Sequence, residues 1–127
     1  MRPKLLLSVV ALAICGAVVV TGIAQARHAA RTIVTIQVQN GDFSGKVKSK
    51  RLHKCADNRK VVLYKQSGHH QRPRSDQKIA SDTSELDGNH GEWSTGNTGL
   101  SGGKYYARAG RVPGCKPDSS KTVHSDR

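Results

Sequence analysis

The sequence has few of the residues that build a large core or carry common chemistry. Its 127 residues include five aromatic side chains, one methionine and three cysteines. No Cys-x-x-Cys pair is present, which argues against a zinc site with the usual ligand spacing. The glycines match neither a Walker motif nor a dinucleotide-binding motif. We therefore predict that the chain is not an enzyme and needs no cofactor.

Acidic residues are also scarce. Nine Asp and Glu stand against 21 Lys and Arg, for a formal net charge of +12 at pH 7. The charges are unevenly distributed. Residues 46–74 contain ten basic residues and one acid, Asp57, whereas residues 75–95 contain five acids and one basic residue, Lys78. We therefore predict a basic face, which would attract polyanions, and a smaller acidic patch.

The N terminus carries the one long apolar run. Two basic residues precede the apolar segment 5–24, and a small-x-small triplet ends at Ala26. This pattern is typical of a secretory signal peptide, which predicts a signal at 1–26 and a flexible segment at 27–31. An uncleaved membrane anchor is the alternative, because about 20 apolar residues can span a bilayer as a helix. Either reading predicts a secreted or cell-envelope protein.

Two cysteines, Cys55 and Cys115, lie after the predicted signal. An even pair in an exported chain predicts one disulfide, and a reactive or metal-binding pair is the alternative. The bond would close a loop of about 60 residues, for which chain entropy gives roughly 4 kcal/mol of stabilisation. Only 15 residues after Ala26 are Leu, Ile, Val or Phe, so the predicted core is small and the bond matters.

Short apolar alternations between glycine and asparagine turns predict an all-β domain over residues 32–124. Apolar residues alternate along 32–38, and residues 59–66 are apolar on both faces, which favours a central strand. About seven such strands and no helical periodicity are typical of a small Greek-key, immunoglobulin-like sandwich. Residues 125–127 are expected to be loose. The aromatic residues predicted for the core are Phe43, Tyr64, Trp93 and Tyr105.

The second half of this domain resembles a known family. Its pattern is a strand-ending Thr, a glycine turn, an aromatic residue, a glycine, and then Tyr with alternating small residues. Those positions are Thr83, Gly88, Gly91, Trp93, Gly103, Tyr105, Ala107 and Ala109. The pattern resembles transthyretin-like or carboxypeptidase-regulatory-like sandwiches, and the whole chain resembles small exported immunoglobulin-like proteins of bacteria. The resemblance implies a structural or ligand-presenting module with no catalytic residues to transfer.

The basic segment supplies the predicted contacts for a polyanion. Lys46 and Lys48 alternate on one predicted strand and would therefore share a face. Solvated surface charge is the alternative reading. An exported protein meets anionic wall polymers and membrane surfaces first, so we expect one of these as partner, and not nucleic acid, whose binding modules use aromatic platforms. The predicted contact residues are Lys46, Lys48, Lys50, Arg51 and Lys54.

Residues 87–92, with the sequence DGNHGE, form a second candidate site. Asp87, His90 and Glu92 could bind an ion or a small ligand, although their order does not match a calcium-binding EF-hand loop. A β-turn flanked by solvated acids is the alternative. A third hypothesis, a small hydrolase or inhibitor, would use the polar loop 67–75. The glycine-rich loop 96–103 departs from the family pattern and is either slack chain or a working surface.

Overall fold

The computed structural model describes residues 28–126, which form two antiparallel five-stranded sheets packed face to face. The predicted all-β sandwich is confirmed, with ten strands rather than about seven. The predicted signal peptide at 1–26 lies outside the described residues. The strands are β1 (Thr32–Val34), β2 (Gln37–Gln39), β3 (Asp42–Ser49), β4 (Lys60–Gln66), β5 (Gln77–Thr83), β6 (Glu85–Asp87), β7 (His90–Asn97), β8 (Lys104–Ala109), β9 (Asp118–Ser119) and β10 (Val123–His124).

Successive segments of the chain alternate between the two sheets. The first sheet has the order β1-β3-β7-β6, and β2 also pairs with β3. The second has the order β10-β8-β4-β5, and β9 also pairs with β8. This is the strand order of immunoglobulin-type sandwiches. Strand β4 lies between β8 and β5, as its two apolar faces predict.

The predicted strand 32–38 is interrupted at Thr35 and Ile36, which gives β1 and β2. The interruption brings the Thr35 carbonyl oxygen to the indole of Trp93, whose Nε1 donates to it at 3.2 Å. It also brings Thr35 over Gly45 of β3, where a Cβ atom would overlap the Thr35 carbonyl. Glycine is required at position 45 because the two backbone segments approach so closely.

The core lies between the sheets, and it contains three of the four aromatic residues predicted for it. The ring centroids of Phe43 and Tyr105 are 4.8 Å apart. Tyr64 is also buried, but it lies outside this core, on the outer face of the second sheet, where it stacks on Tyr106 at 5.2 Å. The core residues are Val34, Ile36, Phe43, Val47, Ala56, Val61, Leu63, Trp93, Tyr105, Ala107 and Ala109.

A disulfide joins Cys55 and Cys115, as predicted, with 5.5 Å between the Cα atoms. Cys55 lies in one π-helical turn, Leu52–Ala56, between β3 and β4. The sequence showed no helical periodicity there because a five-residue turn is too short to display one. We call this end of the sandwich, with the turn and the loop 110–117, the disulfide end.

Both ends of the domain are more ordered than the sequence predicts. In the segment expected to be flexible, Ala30 N–H donates to the Gly114 carbonyl at 2.9 Å, and its own carbonyl accepts from Lys116 N–H. At the other end, Ser125 is fully buried, and its N–H donates to the Gly103 carbonyl at 3.0 Å. Ser125 is thus packed against the fold, at the position where the sequence predicts that the loose C terminus begins. Across residues 28–126, no helix has the length and apolar character needed to cross a membrane.

Candidate functional site

The outer face of the first sheet carries an open cavity of about 760 Å³. Strands β3, β7 and β6 lie side by side there, and their register places Lys46 opposite Glu92 and Glu92 opposite Glu85. We call this cavity the acidic groove, because four of its lining side chains are carboxylates and one is an ammonium group. The charged lining residues are Lys46, Asp82, Glu85, Asp87 and Glu92.

The predicted ion-binding residues lie at one end of the acidic groove, on the hairpin that β6 and β7 form. Asp87, His90 and Glu92 each bring one potential ligand atom within 4.8 Å of the others. Both nitrogens of the His90 ring already have neighbours, since Nε2 lies 3.2 Å from Glu92 Oε1 and Nδ1 lies 3.1 Å from Asn89 Oδ1. The arrangement therefore fits either a divalent cation or a plain surface ion pair.

One carboxylate of the acidic groove serves the fold. Strand β7 extends beyond its partner β6, which leaves the N–H groups at the far end of β7 without a ladder partner on that side. Asp82 of β5 crosses from the second sheet and accepts from Ser94 N–H at 2.8 Å. Asp82 thus covers an exposed strand edge, a position that natural sheets commonly protect.

The structure does not place the five predicted polyanion contacts together. Lys46 lines the acidic groove, and Lys48 lies on the same sheet beside Ile33 of β1. The other three lie at the disulfide end. There, Arg51 Nη1 donates to the Gly114 carbonyl at 3.4 Å, and Lys50 and Lys54 are exposed. The predicted basic face is therefore divided, and Lys46 lies among acids.

Arg59 and Lys60 belong to the basic segment 46–74, but sequence reasoning missed that they lie beside Arg108 and Arg111 at the disulfide end. A cleft of about 250 Å³ opens on the outer face of the second sheet, and none of its lining residues is acidic. The pairing of Val62 on β4 with Arg108 on β8 forms its centre. No sequence signal could have located this cleft, because the two residues lie far apart along the chain. We call it the cationic cleft, and its lining residues are Arg59, Lys60, Val62, Tyr64, Arg108, Gly110, Arg111 and Val112.

Arg59 also lines the cationic cleft and is buried, with 2% of its surface exposed. Its Nη2 donates to the carbonyls of Gly110 at 2.5 Å and Lys116 at 3.1 Å, and its Nη1 donates to the carbonyl of Cys55 and to Thr32 Oγ1. All four acceptors are neutral. Its buried Nε has no hydrogen-bond partner within the described residues. Burial lowers the pKa of Arg59, although an arginine keeps its charge at neutral pH.

The cations at this end form no ion pair with a carboxylate. Across residues 28–126, the contact between His90 and Glu92 is the only one within 4.0 Å that joins a basic to an acidic side chain. Every lysine and arginine in that range therefore lacks a carboxylate at ion-pair distance. Such cations can bind an external anion without first giving up an internal ion pair.

The polar loop 67–75, which the hydrolase or inhibitor hypothesis would use, is tied to the fold by Asp76. The carboxylate accepts from Arg72 N–H at 2.6 Å, from the Tyr106 hydroxyl at 2.7 Å, and from the Ser67 N–H and hydroxyl. These bonds, that from Arg72 above all, lower the pKa of Asp76 to about 2. Burial and the bond to Asp76 raise the pKa of Tyr106 well above its usual range.

The glycine-rich loop 96–103 also packs against the domain. Thr98 Oγ1 donates to the Gly41 carbonyl at 2.8 Å, and Leu100 is partly buried against the core. Ser101 is exposed and lies in the segment that leads into β8. Gly99 and Gly103 stand two residues before and two residues after it, as in a nucleophile elbow, but such an elbow follows a strand and leads into a helix. The loop is thus part of the packed end of the sandwich, not slack chain.

No protein-family model, curated protein or solved structure matches this chain. The resemblance to transthyretin-like sandwiches therefore stays a prediction that rests on its quoted residues. In the structure those residues hold turn and core positions, as Gly88, Trp93 and Tyr105 show. Such positions bear on the fold and not on activity, so the function must be argued from the charged surfaces themselves.

Proposed function

We propose that the protein is an exported, non-enzymatic binding module that holds an anionic polymer of the cell envelope at its disulfide end. The observation that carries the proposal is the clustering of basic side chains there, which, like the other lysines and arginines of residues 28–126, have no carboxylate within 4.0 Å. We call this set the cationic end. It consists of Lys50, Arg51, Lys54, Lys60, Arg108, Arg111 and Lys116.

The physical basis is the summed attraction of many weak contacts. One exposed ion pair contributes about 0 to 1 kcal/mol, so a single anion would bind weakly at any one of these side chains. A polymer with repeated charges engages several at once, and each further contact forms at a high effective concentration. Because exposed charges are screened beyond about 8 Å at physiological ionic strength, the binding should weaken steeply with salt.

The disulfide supports both the proposed export and the proposed binding site at the cationic end. Disulfides persist in oxidising environments such as the cell exterior, which agrees with the export that the N-terminal sequence predicts. The bond also fixes the turn 52–56 to the loop 110–117, and these two segments carry Lys54, Arg111 and Lys116. The cationic end is therefore held in one arrangement before any polymer arrives, which reduces the entropy lost on binding.

Retention on immobilised polyphosphate tests the proposal, with neutral dextran as the control matrix. Wild-type protein should bind polyphosphate, elute as salt rises and pass through dextran. The double variant Lys50→Glu and Lys54→Glu should elute at much lower salt. Lys65→Glu with Lys121→Glu is the matched control, since it makes the same change in net charge at exposed positions away from the disulfide end.

Three outcomes would contradict the proposal. Wild-type protein that passes through polyphosphate would show that the surface does not bind polyanions. Equal losses in the two double variants would show that net charge alone acts, with no role for the disulfide end. Vesicles of phosphatidylglycerol supply a further arm, because tighter salt-sensitive binding to them than to polyphosphate would make the partner a membrane surface instead of a polymer.

A divalent-cation site on the β6–β7 hairpin is the second candidate function. The observation that favours it is the convergence of Asp87, His90 and Glu92 within 4.8 Å. A ligand that binds only the folded state raises its stability, so Zn²⁺ or Ca²⁺ should raise the melting temperature. Asp87→Ala should abolish that rise, whereas Asp126→Ala, at an exposed acid near the C terminus, should leave it intact. An equal rise in both variants would exclude this site.

A further inference from the structure

The cationic cleft differs from the rest of the cationic end because it combines charge with an apolar floor. Lys60, Arg108 and Arg111 surround it, and Val62 and Tyr64 lie between them on the sheet. The ring of Tyr64 stacks on that of Tyr106, its neighbour across the strand pair, with 12° between the ring planes. This stack orients the Tyr64 ring, and the cations stand at the margin of the floor.

Arg59 gives the cleft a permanent positive charge. Its guanidinium is bound by carbonyl and hydroxyl oxygens, which orient it but do not neutralise it. A charge removed from water interacts more strongly with a nearby ion than an exposed charge does, because the effective dielectric constant is lower. An anion in the cleft would therefore interact with Arg59 as well as with the marginal cations.

The cleft also has a definite size. Its volume of about 250 Å³ corresponds to roughly eight water molecules at about 30 Å³ each. That space suits one small ring with an ionic group and is too small for a folded peptide. Four cations without a carboxylate at ion-pair distance suit a phosphate monoester, which carries up to two negative charges, better than a carboxylate with one. Arginine and lysine are also the side chains that proteins use for phosphate.

We propose that the cationic cleft binds one phosphorylated sugar unit, with the phosphate among Lys60, Arg108 and Arg111 and the ring over Val62 and Tyr64. This inference rests on the proposed function and deepens it, because it names the unit of the anionic polymer that the module recognises. The rest of the cationic end then adds attraction that does not depend on the identity of the unit.

The test uses the full exported protein labelled with ¹⁵N and three small probes in parallel NMR titrations. Glucose 6-phosphate should shift the amide signals of Gly110 and Val112 and saturate at the lowest concentration. Inorganic phosphate should shift the same signals more weakly, because it lacks the ring. Glucose should shift none of them. The ring contact is wrong if phosphate matches glucose 6-phosphate, and the charge contact is wrong if glucose matches it.

Paired variants locate the binding. Lys60→Gln with Arg111→Gln changes two exposed side chains of the cleft and should raise the dissociation constant for glucose 6-phosphate about tenfold or more, which is about 1.4 kcal/mol or more. Lys78→Gln with Lys121→Gln removes the same charge from exposed positions outside the cleft and should change it less than about twofold. Equal effects would overturn the assignment to the cleft.

The two proposals fail separately. If wild-type protein is retained on polyphosphate but glucose 6-phosphate shifts neither Gly110 nor Val112, the cleft inference fails and the proposed function stands. If the wild-type protein is not retained on polyphosphate and glucose 6-phosphate shifts neither amide signal, both proposals fail. Glycerol 3-phosphate distinguishes the two sources of a phosphorylated unit. Binding as tight as that of glucose 6-phosphate would assign the cleft to a polyol phosphate, such as a lipid headgroup carries, and remove the sugar ring from the proposal.

Discussion

The acidic groove and the cationic cleft, on opposite outer faces of the sandwich, have linings of opposite charge, and they also differ in the hydrogen-bond and ion-pair partners of those charges. In the acidic groove, Asp82 accepts a backbone hydrogen bond and Glu92 contacts His90. In the cationic cleft, Lys60, Arg108 and Arg111 have no carboxylate at ion-pair distance within residues 28–126. A charged surface favours a ligand when its groups lack internal partners, so the smaller cleft is the better site.

The two faces also differ in how they are held. The cationic cleft adjoins the disulfide and the buried Arg59, which ties the loop 110–117 to β4. The acidic groove lies over a close backbone crossing at Gly45 and a two-residue hairpin turn between β6 and β7. We therefore expect changes at the two faces to act through different mechanisms, which the following experiments separate.

Loss of the disulfide should have the largest effect. Replacing Cys55 and Cys115 together by Ala should lower the free energy of unfolding by about 4 kcal/mol, because the unfolded chain regains the entropy of a 60-residue loop. Urea denaturation measures this loss, and reduction of the wild-type protein should reproduce it. Retention on polyphosphate should fall in parallel, since the turn and loop that carry Lys54 and Arg111 separate. A loss below about 1 kcal/mol would contradict the role assigned to the bond.

On the opposite face, Gly45→Ala should destabilise the fold by about 2 to 3 kcal/mol. A methyl group there would overlap the Thr35 carbonyl and crowd the Trp93 indole, so the β1–β2 junction must move. Urea denaturation measures the change, and Gly68→Ala is the control because a Cβ at that exposed glycine meets no atom within 4 Å. Retention on polyphosphate per folded molecule should remain. Equal stability of the two variants would show that the crossing relaxes freely.

The sequence predicted the sandwich because apolar and polar residues alternate along most of its strands. The two apolar faces of β4 predicted a central strand, and the cysteine pair predicted the disulfide. Side-chain alternation assigns a residue to a face but does not say what covers that face. Tyr64 was therefore predicted for the core, whereas it lies beneath the outer surface with Tyr106.

The candidate site was harder to predict. The sequence showed Arg59 only as one more cation in a basic run. Nothing near it indicated that two carbonyls of the distant loop 110–117 would join the nearby Cys55 carbonyl around it. The cationic cleft likewise depends on the register between β4 and β8. Lys46 was assigned to a basic face for the same reason, since its acidic neighbours come from β6 and β7, which follow far along the chain.

A smaller change in stability, seen only at acidic pH, should follow the replacement of Asp76, which lies on the same outer face as the cationic cleft. The folded-state pKa of Asp76 is about 2, below its usual 3.8, so its charge stabilises the fold above about pH 4. That contribution is lost as the pH falls from about 4 to about 2. Asp76→Asn should lack this part of the acid dependence, whereas Asp126→Asn should retain it. Urea midpoints across this range measure the difference, and parallel curves for Asp76→Asn and wild type would exclude it.

The smallest effect should come from the acidic groove. Glu85 and Glu92 lie directly opposite each other on β6 and β7, where like charges repel. Glu85→Gln should remove that repulsion and stabilise the fold by about 0.3 kcal/mol. Glu92→Gln removes it too, but also loses the contact with His90, worth about 0 to 1 kcal/mol, so its net change should be close to zero or negative. Melting temperatures at low salt measure the difference.

Salt and Zn²⁺ provide two further tests of the Glu85→Gln and Glu92→Gln variants. At an ionic strength of about 1 M, charges farther apart than about 3 Å are screened, and the two variants should become equally stable. A cation bound at Asp87, His90 and Glu92 would offset the same repulsion, so Zn²⁺ should reduce the gain from Glu85→Gln if that site exists. A gain that is unchanged by Zn²⁺ would mean that no cation at Asp87, His90 and Glu92 offsets the repulsion between Glu85 and Glu92, and would contradict the metal site.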